Sequence, residues 1–376
     1  MIKQPRSVVK SVKFLLTSIS RNVSSQTSEV IVKNVNDKGV LVLNRPKALN
    51  ALTLSMMETI KPVLKDWESK KSLVLIKGTG EKSFCAGGDI RSVFEARLRG
   101  EKNLGHMFKA VYSTSALIGS YKIPYVALID GIVMGGGVGL SVHGRYRVAT
   151  ERSIFAMPET QIGFFPDVGG SHFLPRLSGK LGWYLGLTGK RLKGSDILKA
   201  GIATHICDSK DLPQLEEALL NKCRTDKDIQ NTLNKFSKKE IPPFSLEKVI
   251  DKIDDYFSAS SMENIVAKLE NDDTKWAQET LALLRKMSPT SLKVSLKMLE
   301  LGQHYNLDDC LHMEYNMCLT FLKNNDFFEG VRALLIDKDQ KPNWKPNTLE
   351  DITTKIVDEY FYDLPKLKMC CLFGFI

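Results

Sequence analysis

Apolar residues along the chain switch between two spacings. Gly39–Leu43, Ser72–Ile76 and Tyr125–Ile129 are short apolar runs, closed by Asn44-Arg45-Pro46, by Gly78-Thr79-Gly80 and by Asp130-Gly131. Runs of that length between turn residues predict buried strands. Between them the apolar positions recur at helical spacing. One helix is expected from about Leu54 to Trp67, with Ser55-x-x-Glu58 as a capping box and Pro62 kinking or dividing it. A second carries Ile90, Val93, Phe94 and Leu98, and a third covers Met107 to Ser120. Strands alternating with helices through short glycine turns predict an α/β or β/α-spiral domain. Beyond about residue 210 glycines thin out and charges rise. Periodic segments at Glu263–Leu269, Trp276–Met287, Pro289–Leu301 and Leu307–Phe321 then predict a helical C-terminal part, with Ser288-Pro289 and Asn306 as helix starts.

The stretch from Gly131 to Gly170 stands out. Gly135, Gly136 and Gly137 follow the apolar run directly, and a segment with helical spacing is expected after them. Glycines at such a turn let backbone N–H groups approach a ligand, and a helix start favours developing negative charge. Downstream lie two acids, Glu159 and Asp167, among Phe155, Met157, Ile162, Phe164 and Phe165. Most acids are solvated surface charges. The apolar neighbours favour burial for these two, and Pro158 restricts the chain just before Glu159. A phosphate loop at Gly78-Thr79-Gly80-Glu81-Lys82-Ser83 is rejected, because the glycine spacing is wrong. His143 reads as structural within the helix expected after the glycines. His172 and Cys85 lack the base and orienting partner that nucleophilic catalysis needs.

Composition narrows the picture. The 376 residues are 43% hydrophobic and 26% charged, an ordinary soluble globular balance. Half of the net charge of +10 sits in residues 1–28, which hold five Lys or Arg and no acid. With a weak apolar face through Val8, Val9, Val12, Leu15 and Leu16, that segment reads as a mitochondrial transit peptide. The remaining excess of basic residues is weak evidence for nucleic acid, and suits a phosphate-bearing substrate equally well. Seven cysteines show no C-x-x-C pair and no metal-ligand spacing, so reduced thiols and no metal are expected. No apolar run is long enough for a membrane helix.

Four local patterns occur in register: Leu43-Asn44-Arg45-Pro46 with Asn50-Ala51-Leu52, Phe84-Cys85-Ala86-Gly87-Gly88-Asp89, the triple glycine, and Met157-Pro158-Glu159. Together with Asp326-Phe327-Phe328-Glu329-Gly330 and Pro342-x-Trp344, the chain resembles the crotonase (enoyl-CoA hydratase/isomerase) superfamily over roughly residues 35–350. Within it, the run His143–Leu177 is similar to the acyl-CoA thioester hydrolases. The resemblance implies an α/β fold, a crotonase-type β-β-α spiral core over 29–240. It also implies a helical C-terminal region over 241–376 that covers the CoA site or mediates homo-oligomer formation. It implies hydrolysis of the thioester of 3-hydroxyisobutyryl-CoA, with 3-hydroxypropionyl-CoA as a related substrate, in valine breakdown in the mitochondrial matrix. A small acyl-CoA is then the partner. No cofactor is needed beyond the CoA of the substrate, and neither nucleic acid nor membrane is expected.

The same resemblance assigns residues. The thioester oxygen would sit between the backbone N–H groups of Gly88 and Gly136, and Ala86 would lie where the adenine end of CoA is held. Hydratases of the superfamily use two glutamates. Gly139 stands at the first of those places and Glu159 at the second, while Asp167 completes the arrangement of the hydrolases. Glu159 would act as nucleophile or as general base for water. Asp167 would orient the substrate hydroxyl or manage the water's proton. The pattern departs from the hydrolases at Val111, where they carry a pocket glutamate before Tyr112, and the terminal Cys370-Cys371 run is foreign to them. The alternatives are a hydratase or isomerase on the same fold, opposed by Gly139, and a scaffold such as a mitochondrial ribosome-associated protein. A scaffold has no use for the intact acids and glycines.

Overall fold

The computed structural model describes residues 28–364. The transit-peptide reading of 1–28, apart from Ser28, and the Cys370-Cys371 tail lie outside the described residues. Ten strands form two sheets. In chain order they are β1 (Val30–Val35), β2 (Lys38–Leu43), β3 (Leu73–Gly78), β4 (Ser83–Cys85), β5 (Tyr125–Ile129), β6 (Ile132–Met134), β7 (Tyr146–Thr150), β8 (Ile154–Ala156), β9 (Leu192–Lys193) and β10 (His205–Cys207). The larger sheet runs β1-β2-β3-β5-β7-β10 and the smaller β4-β6-β8-β9. After each of β3, β5 and β7, the next strand joins the other sheet, and a return brings the chain back one place along the first. That alternation is a β-β-α spiral. Apart from the antiparallel pairs β1–β2 and β8–β9, neighbouring strands are parallel.

The period of two in a strand puts alternate side chains on opposite faces. Here both faces of the large sheet are covered, which is why its strands read as unbroken apolar runs. Leu41, Leu43, Val74, Ile76, Ala127 and Ile129 face the main core. Val40, Val42, Leu73, Leu75, Val126 and Leu128 face a second core. The helices Leu212–Asn221 and Asp226–Phe236 close it with Leu215, Leu219, Ile229 and Leu233.

Three helix expectations need correction. The helix Leu54–Trp67 forms with the expected bounds, but Thr53 caps it by accepting from the Met56 N–H, so Ser55-x-x-Glu58 is not the cap. Pro62 lies inside that helix without dividing it. After the triple glycine the helix is only Gly136–Gly139, and the chain turns into β7, so His143 sits in a turn. C-terminal helices at Met262–Glu270, Lys275–Leu284, Pro289–Gly302 and Leu307–Phe321 match the periodic segments, and Ser288 and Asn306 cap the last two. Among the described residues no helix is long and apolar enough to cross a membrane.

Candidate active site

Two loops bring backbone amides together. The first follows β4 and is pinned from the N-terminal motif. Asn50, fully buried, accepts from the Arg45 N–H and donates to the carbonyls of Thr79 and Ser83. Arg45 in turn pairs with Asp89 at 3.0 Å and with Glu29 at 2.9 Å. The Leu52 N–H reaches the Gly87 carbonyl at 2.8 Å and the Asp89 N–H reaches the Leu52 carbonyl at 2.8 Å, so Gly88 is held between two bonded neighbours. The second loop is the triple glycine. Gly135 has φ +45°, a region that side chains avoid, and a Cβ there would stand 2.7 Å from Glu159 Oε1.

Gly88 and Gly136 lie side by side. A Cβ on Gly136 would be 3.3 Å from the Gly88 nitrogen. Among the described residues, neither glycine gives its N–H to a protein acceptor. Gly136 is buried and Gly88 half-buried, and two adjacent free donors in such a place are uncommon, since backbone N–H groups away from water are almost always satisfied. The four-residue helix behind Gly136 is too short for its dipole to matter much, so the donors themselves are what the loop offers.

Glu159 opens a 3₁₀ turn, Glu159–Ile162, closed by Gly163 in the left-handed region. The C-terminal motif holds that turn. A Cβ on Gly163 would lie 2.2 Å from the Asp326 carbonyl oxygen, and one on Gly330 would lie 2.4 Å from the Ile162 carbonyl. Asp326 is itself fixed by the Ser288 hydroxyl at 2.6 Å and the Lys345 N–H at 2.8 Å.

A cavity of about 250 Å³ joins these pieces. Ala86, Gly88, Val111, Gly136, Glu159 and Asp167 all line it. Phe108, Phe164, Phe327, Leu334 and Leu335 make the rest of its wall mostly apolar. The two leucines come from a π-helical turn, Arg332–Ile336, braced by Arg332 on Glu329, Asp337 and Asp339. Exposed Arg191 stands on the lining as well. A second cavity of about 540 Å³ shares Gln161 and Leu334 with the first and carries Arg285, Lys286 and Lys341 without an acid.

Both acids are buried, at 7% exposure for Glu159 and 6% for Asp167. Burial pushes Asp167 up to about 7, against the opposing hydrogen bond from Tyr112. Burial, and then the neighbouring Asp167 charge, push Glu159 well above the usual carboxylate range. The Tyr112 hydroxyl stays protonated, since burial raises it too, and it donates to Asp167 Oδ2 at 2.9 Å. Near neutral pH the pair therefore shares one proton, with the charge favoured on Asp167. Glu159 Oε2 is buried and has no hydrogen-bond partner among the described residues.

Cys85 does not line the cavity, and burial drives its thiol up to about 12. His172 faces a different cavity, with His143, Arg147 and Arg176. Sequence reasoning gave no role to Tyr112, Arg191, Leu334, Leu335 or Glu314, which holds the loop after Asp167. Only Glu314 left a trace: an acid on the apolar face of its helix, in step with Cys310, Leu311, Met317 and Cys318.

Two unpaired amides, a buried carboxyl beside them and an apolar cleft make up a site for acyl transfer from a carbonyl compound. Residues 38–361 match the family model described as enoyl-CoA hydratase/isomerase, and the chain belongs to that family. Among its curated relatives is the mitochondrial 3-hydroxyisobutyryl-CoA hydrolase of Gallus gallus, 49% identical over 348 residues, covering 91% of this chain and 90% of that protein. The protein of that name from Homo sapiens is 50% identical over 343 residues, covering 89% of each chain. Among solved structures, a carnitinyl-CoA dehydratase from Mycobacterium thermoresistibile superposes with TM-score 0.84 at 34% identity, over 90% of this chain and 98% of that one. An enoyl-CoA hydratase from Rhodobacter sphaeroides gives 0.82 at 35% identity, with the same coverage.

Proposed function

We propose that this chain hydrolyses the thioester of 3-hydroxyisobutyryl-CoA to the free hydroxy acid and CoA, a step of valine breakdown, and takes 3-hydroxypropionyl-CoA as a related substrate. The observation that carries this reading is the juxtaposition of the free Gly88 and Gly136 amides with the Glu159 carboxyl in one cavity. The thioester carbonyl would point its oxygen at the two N–H groups, which stabilise the charge that develops on attack. Losing one such donor raises a barrier by about 3–4 kcal/mol. With the pair's shared proton moved onto Asp167, the Glu159 carboxylate adds to the carbonyl carbon, or takes a proton from the water that does. In the first route the C–S bond breaks, CoA leaves as thiolate and takes up a proton, and water cleaves the resulting anhydride. Asp167, held by Tyr112, orients the hydroxyl of the acyl group or carries the water's proton. The basic second cavity and Arg191 suit the phosphates at the far end of CoA. No cofactor is required beyond the CoA of the substrate. The acid-free segment 1–28 and the mitochondrial label of the relatives support a place in the mitochondrial matrix.

A hydratase would need an acid near position 139. A Cβ on Gly139 would already stand 2.7 Å from both Ser115 Oγ and Val168 Cβ, so a glutamate has no room there. The test is a panel of acyl-CoAs with a thiol reagent. The expected result is CoA release from 3-hydroxyisobutyryl-CoA and no change in enoyl absorbance with an unsaturated acyl-CoA. Hydration of the enoyl compound without CoA release would overturn the reading.

A further inference from the structure

The turn that follows Asp167 has a backbone the sequence disfavours. Val168 has φ +55° and Gly169 has φ +85°. For a β-branched residue the left-handed region is a genuine outlier, and it persists only where the surroundings over-determine it. Three contacts do so. The Gly170 N–H closes the turn on the Asp167 carbonyl at 2.8 Å. His143, kept neutral because burial pushes it down to about 4, donates from Nε2 to the Val168 carbonyl at 2.7 Å. The third comes from the other half of the chain. Glu314, fully buried on the helix Leu307–Phe321, accepts from the Gly169 N–H at 2.7 Å, the Ser171 N–H at 2.9 Å and the Ser171 hydroxyl at 2.6 Å.

We propose that Glu314 is a positioning residue for Asp167, a buried carboxylate that locks the Val168–Gly169 turn and so fixes where the Asp167 side chain points. Glu314 does not line the cavity. It acts through the backbone of the turn and through its charge. Three donors converge on its two oxygens, which is the pattern of an ionised acid. Burial opposes that and pushes the group up to about 8. The titratable groups facing it are Asp167 and Glu159 across the turn, Tyr112 on the helix His106–Gly119, and Cys310 on its own helix. No Lys or Arg pairs with it among the described residues. Once ionised, its negative charge raises the pH at which Glu159 ionises, alongside the much larger effect of burial.

The inference rests on the reading of Asp167 as a working acid, and the test separates the two. In Glu314→Gln the amide keeps the volume, loses the charge, and sets an N–H₂ against a backbone N–H. The expected result, per folded molecule, is a fall in kcat of roughly tenfold to a hundredfold with KM within about threefold, since small misplacements of a reacting group cost that much. The acid limb of the pH–rate profile should also move down by about half a unit or more, because a like charge has been removed. A merely structural role would lower the yield of folded protein and leave both readouts unchanged. Ser171→Ala removes one donor and keeps the charge, so kcat should fall by about threefold with the limb unmoved. Wild-type kcat and limb in folded Glu314→Gln overturn the proposal. If that variant does not fold, wild-type kcat in Ser171→Ala overturns it. Asp167→Asn is measured alongside. Full turnover there sinks the reading of Asp167 and this inference with it, whereas loss at Asp167 with no effect at Glu314 sinks this inference alone.

Discussion

Asp167 is ionised at a cost to the fold. Its carboxyl is raised to about 7 by burial, so the native state binds its proton more tightly than the unfolded chain does. A group raised in this way supports folding at low pH, and that support is lost as pH climbs through its folded value. Stability should therefore decline between about pH 4 and pH 8 on account of Asp167 and, in the same direction, Glu159. Asp167→Asn keeps an acceptor for the Tyr112 hydroxyl and removes the charge. It should stabilise the protein by about 2 kcal/mol at pH 8 and by little at pH 5, as read from denaturant midpoints at the two pH values. Equal effects at both would place the carboxyl in a solvated setting. Val111 carries the specificity question. It is 3% exposed and sits on the cavity wall one residue before Tyr112, so a glutamate there would face the acyl group. Val111→Glu should improve discrimination of 3-hydroxyisobutyryl-CoA over isobutyryl-CoA by about tenfold in kcat/KM, since a hydrogen bond to a charge gains about 1.5–3 kcal/mol and burial offsets part. Unchanged ratios would mean that position 111 does not touch the acyl group. These residues were legible because short motifs name them. Tyr112 and Glu314 were not, because their partners lie 55 and 145 residues away; the acid on the apolar face of its helix marks Glu314 as buried but not what it holds.

At the level of elements, legibility followed length and chemistry. Leu54–Trp67, Tyr125–Ile129 and Leu307–Phe321 have the expected bounds, because each combines a clear period with a turn or cap. Strands β4, β6 and β8 are three residues long, too short for a period of two to register. The helix expected after the triple glycine fails because glycine is a poor helix former, and four residues with three glycines cannot propagate one. The pairing of Glu159–Ile162 with Asn325–Val331 depends on backbones in near contact at Gly163 and Gly330. Gly330→Ala forces them apart. It should destabilise by about 1–3 kcal/mol and lower kcat with it, since the displaced turn carries Glu159. A variant with normal stability and turnover would show that the two elements slide apart freely.

For the whole molecule, the spiral explains why one site draws on distant residues. Each turn delivers one strand to each sheet, so the loops after β4, β6 and β8 stack along one edge. Those loops supply Gly88, Gly136 and Glu159, and the helical C-terminal part adds Phe327, Leu334 and Leu335 to the wall and Glu314 behind it. The alternation of strands and helices was visible in the hydrophobic pattern, but the assignment of alternate strands to a second sheet was not. It entered through the family resemblance. The central claim is that Glu159 attacks, or activates water against, a thioester held by two backbone amides. Glu159→Gln keeps shape and hydrogen bonding and removes nucleophilicity and basicity. With 3-hydroxyisobutyryl-CoA, the measurement is CoA release by the purified variant together with acyl-CoA affinity by calorimetry. The account predicts release lowered at least about a thousandfold with affinity within about tenfold. Release at the wild-type rate, with the variant folded and binding, would contradict it.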